Sequence, residues 1–333
     1  MIAVITDTHL KQGNEDQVYD IFKQVIKICQ DRDIHYLIHA GDFFTSRASQ
    51  SLSVLLMTQK IFDLFTYSRV RLYIIPGNHC KTDLDSEDSY LDAFVSNKQI
   101  TFIKKETSVD FGNEHQVFFI PYFKENEYLR RLSNLETIED QKNILITHIG
   151  VDGVKNNDYG HISNSLRQEL FIKFDLVLVG HFHFRNQLAN NIWYIGSSHP
   201  QNFGEDNEKG ICIVNKDLSL EFVNLNFPKY FTYRFDCKAI KQIVDQLKQV
   251  NHEYDKIRFV ITGNETEIEN FNRSIFDNYN VDVKFEKTYS QKIVELKKYK
   301  EDDIMLSFKQ FCLDKQVQDN IRVKSINYLE KVL

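Results

Sequence analysis

The chain has 333 residues, of which 42% are hydrophobic and 26% charged, enough for a real core in one large or two moderate domains; its 12 Gly and 4 Pro exclude a low-complexity polymer. No apolar run approaches the ~20 residues of a membrane helix, and the N-terminus runs into Asp7 and His9 without the basic start of a signal peptide, so a cytoplasmic protein without membrane contact is expected. The net charge of -6 does not by itself suggest a nucleic-acid binder, although residues 229–333 hold 19 Lys and Arg against 17 Asp and Glu, so the acidic excess lies in residues 1–228.

Ile2 to Ile5 reads as a first strand that delivers Asp7, Thr8 and His9. From Asn14 to Gln30, Val18, Ile21, Phe22, Val25, Ile26 and Cys29 recur at helical spacing and predict a helix with one buried stripe. A second strand, His35 to His39, closes in Ala40-Gly41-Asp42. A helix through Leu52 to Phe65 leads to a third strand, Val70 to Ile75, which Pro76-Gly77 stops so that Asn78 and His79 stand at its tip. This alternation predicts a layered α/β core.

A short helix is expected over Glu87 to Val95, a strand over Val117 to Ile120 and a helix over Glu125 to Gln141. Asn143 to Thr147 is a strand ending in His148, and Gly150 to Asn164 reads as a loop over the site. Asp175 to Val179 is followed by Gly180-His181-Phe182-His183. Ile192 to Ile195, Gly210 to Val214 and Leu220 to Leu225 are expected to form a meander closing a sheet. After Pro228, strands Tyr230 to Phe235, Ile257 to Thr262 and Val281 to Phe285 alternate with helices near Lys238 to Val250 and Glu265 to Asn278. Beyond a lysine-rich stretch, Ile304, Met305, Phe308, Phe311 and Cys312 form a helical stripe. The domains expected are residues 1–228, 229–290 and 291–333.

The strand tips collect Asp7, His9, Asp42, Asn78, His148, His181 and His183. Each short pair is common by chance, and Asn78 alone suits a turn, but chance does not set all of them at the ends of separate strands of one sheet. Two carboxylates, an amide and four imidazoles suit Mn, Fe or Zn better than Mg. Seven donors crowd one ion and suit two, the arrangement that activates water at a phosphoryl centre. The five scattered cysteines, without CxxC spacing, argue for reduced thiols and against structural zinc.

The order Asp7-Thr8-His9, Gly41-Asp42, Gly77-Asn78-His79, His148 and Gly180-His181-Phe182-His183 resembles the calcineurin-like metallophosphoesterase superfamily, and within it the SbcD-type DNA repair nucleases. The resemblance implies a metallophosphoesterase β-sandwich flanked by helices, with a small α/β capping domain and a C-terminal helical segment. It implies two divalent metal ions, in the first place Mn, one held by Asp7, His9, Asp42 and His183 and the other by Asp42, Asn78, His148 and His181. His79 would act on the scissile phosphate without binding metal, and Arg47 would touch a phosphate.

By the same resemblance the chain is a DNA exonuclease and endonuclease acting on DNA ends, working as a homodimer with an SbcC-type ATPase that docks on residues 291–333. The alternatives are a phosphoesterase for small molecules, nucleotides or phosphoproteins, and a catalytically weak DNA-end scaffold. Two positions depart from the family: Cys80 follows Gly-Asn-His, and Thr45 stands where many relatives carry Asp or His. The Thr45 hydroxyl is expected to bond the His79 imidazole without supplying charge.

Overall fold

A computed structural model describes residues 1–112, 115–153, 166–288, 308 and 310–312. In chain order the elements are β1 (Ile2–Ile5), α1 (Glu15–Asp31), β2 (Tyr36–His39), α2 (Leu52–Thr66), β3 (Arg71–Ile74), β4 (Ile100–Phe102), β5 (Thr107–Asp110), β6 (His115–Ile120) and α3 (Glu125–Ser133). They continue with β7 (Lys142–His148), β8 (Leu176–Gly180), β9 (Asn186–Ala189), β10 (Ile192–Tyr194), β11 (Gly210–Val214), β12 (Leu220–Asn224), β13 (Tyr230–Asp236), α4 (Ile240–Gln249), β14 (Lys256–Gly263), α5 (Glu265–Glu269) and β15 (Asp282–Lys287).

Two six-stranded sheets, ordered β12-β11-β1-β2-β3-β4 and β5-β6-β7-β8-β10-β9, make the sandwich. The period-2 alternation of the strands explains how they stack. Ile2, Val4, Ile38 and Tyr73 of the first sheet pack with Val117, Phe119, Ile144, Ile146 and Leu178 of the second. The intervening residues of the first sheet, Ala3, Ile5, Leu37 and Leu72, turn instead to Val18, Phe22 and Val25 of α1 and Ile61 and Phe65 of α2. On the far side Phe118, Leu145 and Val177 pack with Tyr128 and Leu132 of α3. The result is four layers, helix, sheet, sheet and helix, and each fully buried aliphatic or Phe side chain contributes about 1.5–3 kcal/mol.

Local chemistry sets the helix ends. Glu15 and Asp16 complement the positive end of α1, and the chain leaves that helix through Asp33 at φ 55°. Ser51 caps α2 by accepting from the Val54 amide at 3.4 Å. Strands β1 to β4 run parallel, as do β6, β7, β8 and β10, so the C-terminal ends of both sets point to the same kind of edge, where α/β sheets bind ligands.

Several expectations are corrected. Ile192–Tyr194 does not form a meander with the two strands that follow; it pairs with β8 and β9 in the second sheet, while β11 and β12 close the first. The helix from Glu125 ends at Ser133, and the helix expected over Glu87 to Val95 is a 3-10 turn, Tyr90–Phe94. The helix expected from Glu265 breaks after Glu269, because the Asn272 side chain accepts from the Ser274 amide and starts a separate turn. Strands β4, β5 and β9 escape notice in the sequence because they are short or lie at polar edges.

The chain packs as two compact units. The first comprises Met1–Phe235, Ala239–Val260 and Asn272–Lys284; the second comprises Asp236–Lys238, Ile261–Phe271 and the described part of 285–333. Strands β13, β14 and β15 form a three-stranded sheet. In the second unit Asn264 and Glu267 make a capping box that starts α5. Of the stripe expected over 304–312, residues 304, 305 and 309 lie outside the described residues, as do most of the loop expected over 150–164 and nearly all of 291–333. Among the described residues no helix is long and apolar enough to cross a membrane.

Candidate metal centre

The three tips of the first sheet and the two of the second converge. Asp7 and His9 follow β1, Asp42 follows β2, and Asn78 and His79 follow β3; His148 ends β7, and His181 and His183 follow β8. Several of these residues have left-handed backbone: Asp7 at φ 51°, His9 at 44°, Asp42 at 52° and His181 at 96°. Such angles are unfavourable for a residue with a Cβ and persist where the surroundings enforce them. Here the enforcement is a lattice of backbone bonds, with the Asp7 and His9 amides donating to the Gly41 and Asp42 carbonyls at 3.0 and 3.1 Å.

Close approach explains the glycines that precede Asp42, Asn78 and His181. A Cβ on Gly41 would stand 2.2 Å from His148 Nδ1, one on Gly77 2.2 Å from Asp42 Oδ1, and one on Gly180 2.3 Å from Thr6 Oγ1.

The donors fall into two groups. Asp7, His9 and His183 can each offer an atom within 4.8 Å of the others, and so can Asp42, His148 and His181. Asn78 joins the second group, with Oδ1 3.1 Å from His181 Nδ1. Asp42 stands between the groups, its Oδ2 3.2 Å from His148 Nε2 and 3.9 Å from His9 Nε2.

Three observations fit these donors to cations. Asp7 Oδ2 accepts from Thr6 and from the His181 amide, yet Asp7 Oδ1 is buried without a hydrogen-bond partner and faces His9 Nε2 at 3.6 Å. His148 Nδ1 donates to the Ala40 carbonyl at 2.9 Å, which turns Nε2, buried and without a hydrogen-bond partner, toward Asp42 Oδ2 at 3.2 Å. His9 Nε2 and His183 Nε2 lie 3.1 Å apart, close enough for one cation to take a bond from each ring.

The electrostatics agree. Burial would raise the Asp7 carboxyl, but His148 and the bond to His9 hold it well below the usual carboxylate range. Burial would lower His148, but the Asp42 and Asp7 carboxylates bring it up to about 9, whereas burial pushes His181 down to about 4. Burial would raise Asp42 as well, but His148 holds it below its usual range, so the centre keeps two anionic carboxylates out of water and favours positive charge beside them.

His79 lies outside both groups. Its amide donates to Asp42 Oδ1 at 2.8 Å, its ring meets that of His9 edge-on at 5.2 Å, and its Nδ1 donates to the Thr45 carbonyl at 2.5 Å. The expected bond from the Thr45 hydroxyl is therefore replaced by one from its backbone; the hydroxyl donates to the His9 carbonyl at 2.7 Å. Cys80 does not tune the imidazole either, because it is buried in the core against α1 and α2 and its thiol is pushed up to about 12, chiefly by burial.

A cavity of about 240 Å³ opens over His9, Asp42, His79 and His183, and Lys11 and Gln201 also line it. Arg47 is exposed and outside that lining; its charge is felt at Tyr122, whose half-buried ring stands 6.4 Å from that of His148 and 6.1 Å from that of His181. Lys11, Gln201 and Tyr122 were not anticipated. Lys11 lies two residues beyond His9 and could have been found by proximity; Gln201 carries no local signal.

Lys81 braces the site from behind. Its buried amine donates to the Ser86 and Tyr122 carbonyls at 2.9 and 2.7 Å and sits 3.7 Å from the centre of the Phe123 ring.

The family model for calcineurin-like phosphoesterases matches residues 1–185. The protein named "Putative phosphoesterase 078R" of Invertebrate iridescent virus 3 is 21% identical over 287 residues, 82% of this chain and 79% of the viral one. The DNA double-strand break repair protein Mre11 of Methanocaldococcus jannaschii is 26% identical over 196 residues, 56% of this chain, and the match spans about half, 52%, of the archaeal one. Among solved structures, a dimetal phosphatase from Danio rerio aligns with 58% of this chain and 85% of its own at 9% identity and a TM-score of 0.36.

Proposed function

Because the chain belongs to the calcineurin-like phosphoesterase family, we propose that it hydrolyses the phosphodiesters of DNA at strand ends with the help of two divalent cations, Mn before others. The observation that carries this reading is the position of His79, against the edge of the two donor groups and outside both. A phosphodiester of DNA expels a sugar alkoxide, a poor leaving group that needs a proton, and an imidazole is the side chain suited to deliver one near neutral pH. The match to a DNA repair protein supports DNA as the ester.

Bound to these donors, divalent cations supply Lewis acidity toward phosphoryl oxygens and lower the pKa of water. The residues of the chain do the rest. Asp7, His9 and His183 would hold one cation and Asn78, His148 and His181 the other, with Asp42 shared. The Thr45 carbonyl fixes His79 with its proton on Nδ1, which leaves Nε2 to take up and release the proton for the leaving oxygen. The Lys11 ammonium and the Gln201 amide line the cavity and orient phosphate oxygens. Arg47, exposed beyond that lining, would meet a phosphate farther along the strand.

Cleavage of end-labelled duplex DNA with Mn, Mg or Zn tests the reading, with a nucleoside monophosphate as comparator. Manganese-dependent release of nucleotides, abolished in Asp42→Asn, is expected. Hydrolysis of the monophosphate with DNA left intact would replace this reading by a small-molecule phosphoesterase. We also propose a homodimer and an SbcC-type ATPase partner, on the resemblance of the motif order to SbcD-type nucleases; co-purification of the two chains, lost on deleting residues 291–333, is the test.

A further inference from the structure

The ring of His183 leans on a buried carboxylate. Its Nδ1 lies 2.9 Å from Glu205 Oε1, and the Glu205 side chain is only 4% exposed. A carboxylate at that distance accepts, so Nδ1 carries a proton and the Nε2 lone pair turns toward Asp7 Oδ1 at 3.8 Å and His9 Nε2 at 3.1 Å. His148, in the other donor group, has its Nδ1 proton on the neutral Ala40 carbonyl instead. The two groups thus differ in what stands behind their imidazoles, a full negative charge in one and a peptide dipole in the other.

Glu205 is itself held. Asn202 Nδ2 donates to it at 2.9 Å, and the buried Lys209 amine lies 3.4 Å from its other oxygen. Lys209 also donates to the His183 carbonyl, which accepts the Ser197 amide as well, at 3.1 Å, so His183 is gripped at ring and backbone together. The segment that carries Glu205 is pinned on both sides. The Phe203 ring lies 5.0 Å from that of Tyr230 and 3.8 Å under the Arg258 guanidinium, and the Asn207 amide exchanges two 2.9 Å bonds with the Tyr230 backbone.

We propose that Glu205 is a positioning residue for the cation site of Asp7, His9 and His183, holding His183 in its Nδ1–H tautomer and strengthening that site alone. The proposal rests on the reading of these donors as a two-cation centre. A carboxylate behind a ligating imidazole raises its basicity and fixes its orientation, and losing such a partner typically weakens metal affinity by about 10–100-fold.

Calorimetric titration of the full chain with Mn²⁺, unaltered and as Glu205→Gln, tests it. In the unaltered chain two binding events are expected; in Glu205→Gln one weakens by about 10–100-fold while the other stays put. At two equivalents of Mn²⁺ the electron paramagnetic resonance spectrum then shows free aqueous Mn²⁺ that the unaltered chain lacks, and Glu205→Asp, which restores the charge, recovers part of the affinity. Two unchanged events, or an equal loss at both, would overturn the proposal.

Should Glu205→Gln not fold, nitrogen NMR of histidines in the unaltered, Zn²⁺-loaded chain decides: a slowly exchanging proton on His183 Nδ1 supports the assignment and a bare Nδ1 refutes it. An unaltered chain that binds no cation removes the two-cation reading along with this proposal, whereas two events insensitive to Glu205 remove the proposal alone.

Discussion

Gly77→Ala puts a methyl group against the Asp42 carboxylate. Gly77 has φ -90° and ψ -174°, extended backbone that alanine adopts freely, so the perturbation is one of space and not of conformation. The new Cβ would stand 2.2 Å from Asp42 Oδ1 and 2.4 Å from the Asp42 backbone nitrogen, where ordinary contact begins near 3.4 Å. Something must shift by about 1 Å. Asp42 cannot simply rotate away, because Oδ1 accepts the His79 amide at 2.8 Å and Oδ2 faces His148 Nε2 at 3.2 Å.

Overpacking of this kind costs about 1–3 kcal/mol, which in a chain of this size lowers Tm by on the order of 5 °C. A misplacement of about 1 Å in a catalytic constellation can cost about 10²-fold in rate. Calorimetric melting, together with hydrolysis of an activated phosphodiester, reads both numbers. Gly13→Ala is the control: its methyl meets nothing within 4 Å, but Gly13 sits at φ 94°, so it should lose about 1 kcal/mol to backbone strain and keep its rate. A Gly77→Ala protein with the Tm and rate of the unaltered chain would refute the close-approach account.

His79→Ala should lower the rate on DNA by about 10²–10⁴-fold while both cation-binding events persist, whereas Thr45→Ala should leave the rate within a fewfold, since a carbonyl holds the ring. Loss of metal on removing His79, seen by calorimetry, would contradict its place outside the donor groups. Removing cations with a chelator should lower Tm, because ligands that bind the folded chain stabilise it by about 2.7 kcal/mol at a hundredfold excess over Kd; an unchanged melting curve would count against the site.

Lys81 gives a pH signature. Burial pushes its amine down to about 8, so between about pH 8 and 10.5 the unfolded chain holds a proton that the folded one has released. Stability from this group therefore rises with pH across that window, by at most about 1.4 kcal/mol per unit, and is lost again as pH falls through 8. The stability of the unaltered chain minus that of Lys81→Met, measured by urea unfolding, should climb accordingly; a flat difference would sink the assignment.

The donors were legible because their signal is local: a short apolar strand followed within a few positions by Asp, His or Asn, with a glycine ahead of Asp42, Asn78 and His181 where close approach leaves no room for a Cβ. The supports were not. Glu205 acts on a residue 22 positions away and sits in a polar loop without periodicity. The group that fixes His79 is a backbone carbonyl, which has no side chain to read, and Thr45 looked relevant for a hydroxyl that in fact serves His9. Strand β10 misled because β-propensity and turn spacing report that a strand exists and not which sheet receives it.

The left-handed backbone at His9 and His181 bears on how this protein would respond to selection. A side chain in that region is disfavoured by on the order of 1–3 kcal/mol, and glycine or asparagine would relieve it. A library screened for heat resistance in the absence of metal would accordingly drift toward those residues at positions 9 and 181. On the cation-holding roles proposed for His9 and His181, its toughest members would be inert, so thermostability and chemistry would have to be selected together in this scaffold.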